Sequence, residues 1–261
     1  MHCNSPTVEV RRSPPAPSAR PFLLFMRPGA SPKAQRRWIL SADRNYDIMA
    51  SFYARPEGDC WLLDAADYVA FGGLSKFHAA KLLLEPSLVA RYRGIWLIDD
   101  DLETHFEPGK FLRFVDEQGF AIAQPALTHD SFASFAITLV HPTCAYRETT
   151  FVETMAPYFA RETLSDAIVE FDRTLSTWGL DFQWSTRFQA RRLAIVDMFT
   201  MTHIAAVDLE NGAFYRYLKE LGVDPWDELA RMFAHLGLDR FEIANPRLAL
   251  ITTHQPAPAR R

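Results

Sequence analysis

The run GIWLI, residues 94–98, is followed at once by Asp99, Asp100 and Asp101. A short apolar run with turn signals around it is the signature of a strand buried on both faces, as in a parallel sheet. Ligands of open α/β sheets bind outside the carboxyl ends of such strands. Three adjacent carboxylates at that position repel one another, and partial burial raises the cost. A divalent cation removes the conflict, and Mg2+ or Mn2+ takes carboxylate oxygens together with those of a phosphate. Asp99 and Asp101 are the candidate metal ligands, in an Asp-x-Asp arrangement. Asp99 and Asp100, with Lys76 and Lys81 on the preceding helix, are the candidates for holding a diphosphate-bearing ligand. The plainer alternative is a solvated turn after a strand, with the two lysines on a solvated helix face.

The rest of the chain supplies the sheet this strand needs. YDIMASFY (46–53) and LAIVDMF (193–199) read as strands, and so do RRWILSA (36–42), FAIAQPAL (120–127) and FAITLV (135–140). SKFHAAKLLLE (75–85) reads as a helix, and Leu164, Ile168, Phe171 and Leu175 recur at helical spacing. Pro108 and Gly119 bracket another helix in the expected Pro-first, Gly-last order. Asp224 as N-cap, Pro225 at the first helical position and Gly237 past the end bracket a third. Strands alternating with helices predict an α/β domain with a mixed, mostly parallel sheet flanked by helices.

The 261 residues suffice for one substantial domain. Residues 1–36, rich in Pro, Ser and Arg, read as a disordered tail, 37–248 as a single domain, and 249–261 as a flexible end. A net charge of −4 carries no footprint of a nucleic-acid binder. No stretch approaches the roughly 20 apolar residues of a membrane span, although peripheral membrane association stays open. Cys3, Cys60 and Cys144 form neither a disulfide framework nor a zinc site, so a cytoplasmic setting is the expectation. There is no G-x-G-x-x-G, no P-loop and no G-x-S-x-G elbow.

Two enzyme classes place Asp-x-Asp after an apolar strand: GT-A glycosyltransferases and haloacid-dehalogenase phosphatases. The phosphatase pattern asks for Thr or Val where Glu103 stands, and it usually opens its domain. Here about sixty residues of apparent fold come first, which suits a nucleotide-binding half better.

The ordered segments FGGLSKFHAAKLL, YRGIWLIDDDLE, AIAQPAL, TTFVETMAPYFAR, STWGLDFQW and AIVDMFTMTH resemble a family of plants and bacteria catalogued as a domain of unknown function. That family is grouped with GT-A nucleotide-sugar transferases, and the resemblance covers roughly residues 40–205. It implies a GT-A-like fold and a reaction type, transfer from a nucleotide-sugar donor to a carbohydrate or other hydroxyl acceptor, without naming the substrate. Asp181 in STWGLDFQW and Glu153 in FVETMAP are then the candidate catalytic carboxylates, the plainer alternatives being that Asp181 caps a helix and that Glu153 caps a backbone amide at a strand-to-turn segment. Many GT-A enzymes carry Glu-Asp where this chain has Leu180-Asp181, which leaves one carboxylate there. His203 would be a third metal ligand, with Asp197 orienting it or simply ending its strand, and the plainer alternative is a satisfied core histidine. The function expected is metal-dependent transfer of a sugar to a hydroxyl, with Mn2+ or Mg2+ as cofactor. The alternatives are a metal-dependent phosphohydrolase or nucleotidyltransferase, and a noncatalytic carbohydrate- or nucleotide-binding protein. His129, His141, Arg147 and Arg187 have no spacing that assigns them.

Overall fold

The structure, a computed structural model, describes residues 7–13, 18–29, 40, 44–239 and 250–254. Its first half contains β1 (Val8–Arg12), β2 (Phe22–Met26), β3 (Tyr46–Phe52), α1 (Trp61–Ala65), β4 (Tyr68–Gly72), α2 (Lys76–Leu83) and α3 (Pro86–Val89). It continues with β5 (Gly94–Ile98), β6 (Leu102–Thr104), α4 (Pro108–Glu117) and β7 (Ile122–Leu127). The second half contains β8 (Tyr146–Thr149), β9 (Tyr158–Ala160), α5 (Arg161–Ala167), α6 (Leu180–Arg187), β10 (Leu193–His203), α7 (Ala213–Glu220), α8 (Pro225–Leu236) and β11 (Leu250–His254).

One sheet runs β1-β4-β3-β2-β5-β9-β7-β10-β8-β11, with β6 paired to β10 outside that path. β2 is parallel to β3 and β5, β3 to β4, and β7 to β10. β9 lies antiparallel between β5 and β7, so those two point the same way. The pairings leave β2, β3, β4, β5, β7, β10 and β11 in one direction and β1, β6, β8 and β9 in the other. The fold is thus mixed α/β, with helices on a largely parallel sheet, as the strand and helix pattern predicts.

Alternate residues of β5 feed two cores. Trp96 and Ile98 pack with Phe111, Leu112 and Val115 of α4, whereas Ile95 and Leu97 pack with Phe77 of α2 and Leu164 of α5. Helices therefore cover both faces, which is why GIWLI is apolar throughout. The Trp96 indole N–H donates to the Ala156 carbonyl at 2.8 Å and ties β5 to the chain entering β9. Gly94 admits the Tyr158 ring of β9, since a Cβ there would lie 2.2 Å from the tyrosine oxygen.

Several expectations are corrected. Within the expected tail, FLLFM forms β2, fully buried at the middle of the sheet, and VEVRR forms β1. Five apolar residues suffice for a central strand, and the surrounding Pro, Ser and Arg hide them in any composition average. Arg20, just before β2, reaches the buried Asp47 carboxylate at 2.8 Å. At the other end, Leu250–His254 pairs antiparallel with β8, so the boundary at 249 does not hold either. FAITLV is not a strand: Ala136–Thr138 is a turn of 3-10 helix, with one bridge from Leu139 to Leu127. The helix marked by Leu164 to Leu175 stops at Ala167 and gives way to a 3-10 turn, Ile168–Glu170. RRWILSA, apart from Leu40, lies outside the described residues.

Candidate functional site

The aspartate triplet sits where the sheet pattern requires, at the carboxyl end of β5. Parallel β2 ends beside it, and the Gly29 N–H beyond that strand donates to Asp100 Oδ2 at 3.1 Å. Asp100 thus anchors the chain leaving β2. Lys76 opens α2 at 4% exposure, in place of a solvated helix face. Its ammonium donates to the carbonyls of Thr154 and Met155 at 2.7 and 2.9 Å, and lies 2.7 Å from Asp99 Oδ1. Lys76 therefore clamps Asp99 to the FVETMAP loop. Lys81 points elsewhere, donating to the Val169 carbonyl and to Asp172, each at 2.7 Å.

His203 reaches the triplet through an irregularity in β10. The register against β7 shifts between Val196 and Thr200, so the strand bulges before its last residues pair with β6. Bulges of this kind re-aim side chains. Asp197, at the bulge, accepts from the His141 N–H at 2.7 Å and pairs with the buried Arg147 at 3.0 Å. It braces the bend and is not a partner of the histidine ring. At the strand end, His203 Nδ1 lies 2.7 Å from the Phe132 carbonyl, and Nε2 lies 3.4 Å from Asp101 Oδ2. A carbonyl only accepts, so Nδ1 carries a proton and Nε2 is left to face the carboxylate. Burial on its own lowers the His203 pKa, but the Asp101 carboxylate and the Phe132 carbonyl outweigh it and leave the pKa raised.

Two buried carboxylates complete the cluster. Glu153 is 4% exposed, and its Oε2 has no hydrogen-bond partner. Its backbone N–H donates to Gln124 Oε1 at 2.6 Å, which pins the loop to β7. Burial, reinforced by the charge of Asp181, pushes Glu153 up to about 8. Asp181 lies in the first turn of α6, after Gly179 at φ 89°. It is 5% exposed, and its Oδ1 accepts from the Phe182 N–H at 3.0 Å. Burial pushes it up to about 7 despite that bond. Trp178 and Trp184 divide: Trp178 is half-buried against Tyr215 and Trp226, whereas Trp184 is core and donates to the Val152 carbonyl at 2.7 Å.

The folded chain therefore joins the triplet, Lys76, Glu153, Asp181 and His203 in one neighbourhood, linked by ion pairs and by mutual electrostatic influence. Sequence reasoning missed Gly29 and Phe132 as supports. Each acts through a backbone group or on one, so no side-chain motif announces it. Among the described residues, no group of three or more His, Cys, Asp or Glu is placed to hold a metal ion, the expected set of Asp99, Asp101 and His203 included. Asp101 and His203 nevertheless suit a cation that keeps phosphate oxygens as its other ligands. A ligating histidine characteristically donates its second ring N–H to a carbonyl, as His203 does to Phe132.

The family model described as "Protein of unknown function (DUF707)" matches residues 46–231, well over half of the chain. The chain belongs to the DUF707 family. No curated protein matches this DUF707 chain. Among solved structures it is similar to GalNAc-T7, determined with UDP, GalNAc and Mn2+, at 9% identity and a TM-score of 0.49. That match covers 85% of the DUF707 chain and 56% of GalNAc-T7, so the chain spans little more than half of that enzyme. A candidate nucleotide-diphospho-sugar transferase from Desulfovibrio desulfuricans is similar at 10% identity and a TM-score of 0.40, over 81% of this chain and 97% of that one. A mycobacterial protein is similar at 14% identity and a TM-score of 0.47, over 91% of this chain and 84% of the other. No helix among the described residues is long and apolar enough to cross a membrane.

Proposed function

We propose that this DUF707 protein is a metal-dependent glycosyltransferase of GT-A type, moving a sugar from a nucleoside-diphosphate donor to a hydroxyl acceptor. The observation that carries the reading is the His203 geometry at the end of β5. With Nδ1 held by the Phe132 carbonyl, Nε2 meets Asp101 just beyond the carboxyl end of β5. Asp101 and His203 would hold Mn2+ or Mg2+, with Asp99 kept in place by Lys76. Such a cation supplies Lewis-acid stabilisation of the charge that builds on a departing diphosphate.

The chain's own residues divide the remaining work. Asp181, near 7, is poised as a base at neutral pH, where Brønsted efficiency is greatest. Its carboxylate takes the proton of the acceptor hydroxyl as that oxygen bonds to the sugar carbon and the bond to the diphosphate breaks. Glu153, near 8, keeps its proton at neutral pH, and its unpartnered Oε2 would be the group to offer a hydrogen bond to a bound ligand. Burial of both carboxylates excludes water that would compete with the acceptor. A direct displacement of this kind inverts the sugar carbon.

The test is thermal unfolding with UDP, GDP, CDP and ADP and their sugar conjugates, each with and without Mn2+. Ligand at about a hundred times its Kd adds about 2.7 kcal/mol, a rise of roughly 5–10 °C at this size. Support is a shift that needs one nucleotide and the metal together and is lost in Asp101→Asn. Release of inorganic phosphate from sugar phosphates would favour a phosphohydrolase. Nucleotide binding with no transfer to any acceptor would favour a noncatalytic binder. Retained transfer in Asp101→Asn would sink the metal reading.

A further inference from the structure

Glu228 on α8 is 6% exposed and lies outside the cluster that the proposed reaction uses. Its Oε1 accepts from the Leu175 N–H at 3.0 Å, and its Oε2 from the Ser176 N–H at 2.7 Å. Both oxygens are committed to consecutive amides at the entrance of the STWGLDF segment. Charge-assisted bonds to backbone N–H groups are among the stronger hydrogen bonds.

The segment they hold is strained. Thr177 has φ 69°, in the left-handed region that a β-branched residue avoids. Backbone strain of this kind persists only where surrounding contacts over-determine it. Here α8 supplies them. A Cβ on Gly179 would lie 2.7 Å from Met232 Cγ, so the turn rests directly on that helix. Trp178 meets Trp226 edge-on with centroids 4.8 Å apart, and Phe182 meets Phe233 in the same way at 4.8 Å. Asp181 follows the turn within two residues of Gly179.

We propose that Glu228 is a positioning residue for Asp181. Its carboxylate holds the left-handed turn at 175–179, and that turn holds Asp181 in its buried place at the start of α6. The catalytic meaning rests on Asp181 being the base of the proposed transfer. The mechanical claim stands on the contacts alone. A glutamine at 228 leaves one acceptor and turns an NH2 toward the second amide, so the turn loses half of its hold.

The experiment follows the Asp181 carboxyl by isotope-edited infrared titration of metal-free protein, with Asp181→Asn to assign its band. Wild type is expected to titrate near 7. In Glu228→Gln the midpoint should fall by about one pH unit or more as water reaches the carboxylate. Adding Thr177→Gly should restore it, because glycine takes a positive φ without strain. Glu153, the neighbouring buried carboxyl that the Asp181 charge pushes up, is tracked in the same spectra to separate the two titrations. Cooperative unfolding verifies the fold of each variant, and Glu228→Asp, too short to reach both amides, replaces Glu228→Gln if that variant does not fold. In the transfer assay, kcat should fall at least ten-fold with donor KM unchanged. An unshifted Asp181 midpoint in folded Glu228→Gln overturns the proposal, as does a shift that Thr177→Gly leaves in place. Wild type without transfer activity would refute the transferase reading and leave the titration to decide the role of Glu228.

Discussion

Replacing Glu153 by glutamine should stabilise the metal-free protein at neutral pH and flatten its stability against pH. The carboxyl is 4% exposed and carries an oxygen without a hydrogen-bond partner. It titrates near 8 in the folded chain and at about 4.3 when unfolded. A raised folded pKa means that the folded state holds the proton more tightly. Its contribution is fully present below about 4.3 and is lost as pH rises through 8. Within that window each pH unit removes about 1.4 kcal/mol. From pH 5 to 7.5 the group thus removes at most about 3 kcal/mol, equivalent to roughly 6–12 °C at this size. Glutamine mimics the protonated form and removes that dependence. The assay is thermal unfolding of wild type and Glu153→Gln in chelator at pH 5, 6, 7 and 7.5. The variant should track wild type at pH 5 and pull ahead steadily above it. A constant gap between the two curves across that range would refute the assignment of Glu153 as a buried carboxyl with a raised pKa.

Three further outcomes are expected. His203→Ala should weaken Mn2+ binding at least ten-fold, read by electron paramagnetic resonance titration, with the unfolding temperature also lowered by the loss of the hydrogen bond to the Phe132 carbonyl, about 1 kcal/mol, and of the pairing with Asp101. Gly94→Ala drives a Cβ against the fully buried Tyr158, at a cost of about 1–3 kcal/mol, read as a lower urea midpoint at unchanged slope. Arg147→Met strands the buried Asp197 carboxylate at the β10 bulge, at a cost of roughly 3–5 kcal/mol, and should weaken Mn2+ binding as well because the bulge aims His203.

The strand, the caps and the turn glycines were legible because each is written within a dozen residues. GIWLI ends where its apolar run ends, and the Asp224 side chain accepts from the Trp226 N–H at 2.8 Å as an N-cap should. Gly237 closes α8 in the left-handed conformation that its position implied. FLLFM escaped notice because proline and arginine on either side outweigh five apolar residues in any window wide enough to judge disorder. FAITLV misled because an apolar run specifies burial and leaves the backbone state open.

The sequence by itself determined that three carboxylates would stand at the carboxyl end of a buried strand, since that depends only on local hydrophobic pattern and the sheet rule. It also carried Glu153, Asp181 and His203 as chemically able candidates. Only the tertiary structure decided which partners the charged side chains around the triplet meet. Lys76 belongs to Asp99 and Lys81 to Asp172 because packing of α2 points two lysines five residues apart at different partners. His203 meets Asp101 because a three-residue irregularity in β10 re-aims the strand, and Asp181 is buried because α8, more than forty residues downstream, folds back over its turn. Such contacts arise from register and packing between distant segments, where a shift of one residue exchanges a buried partner for solvent.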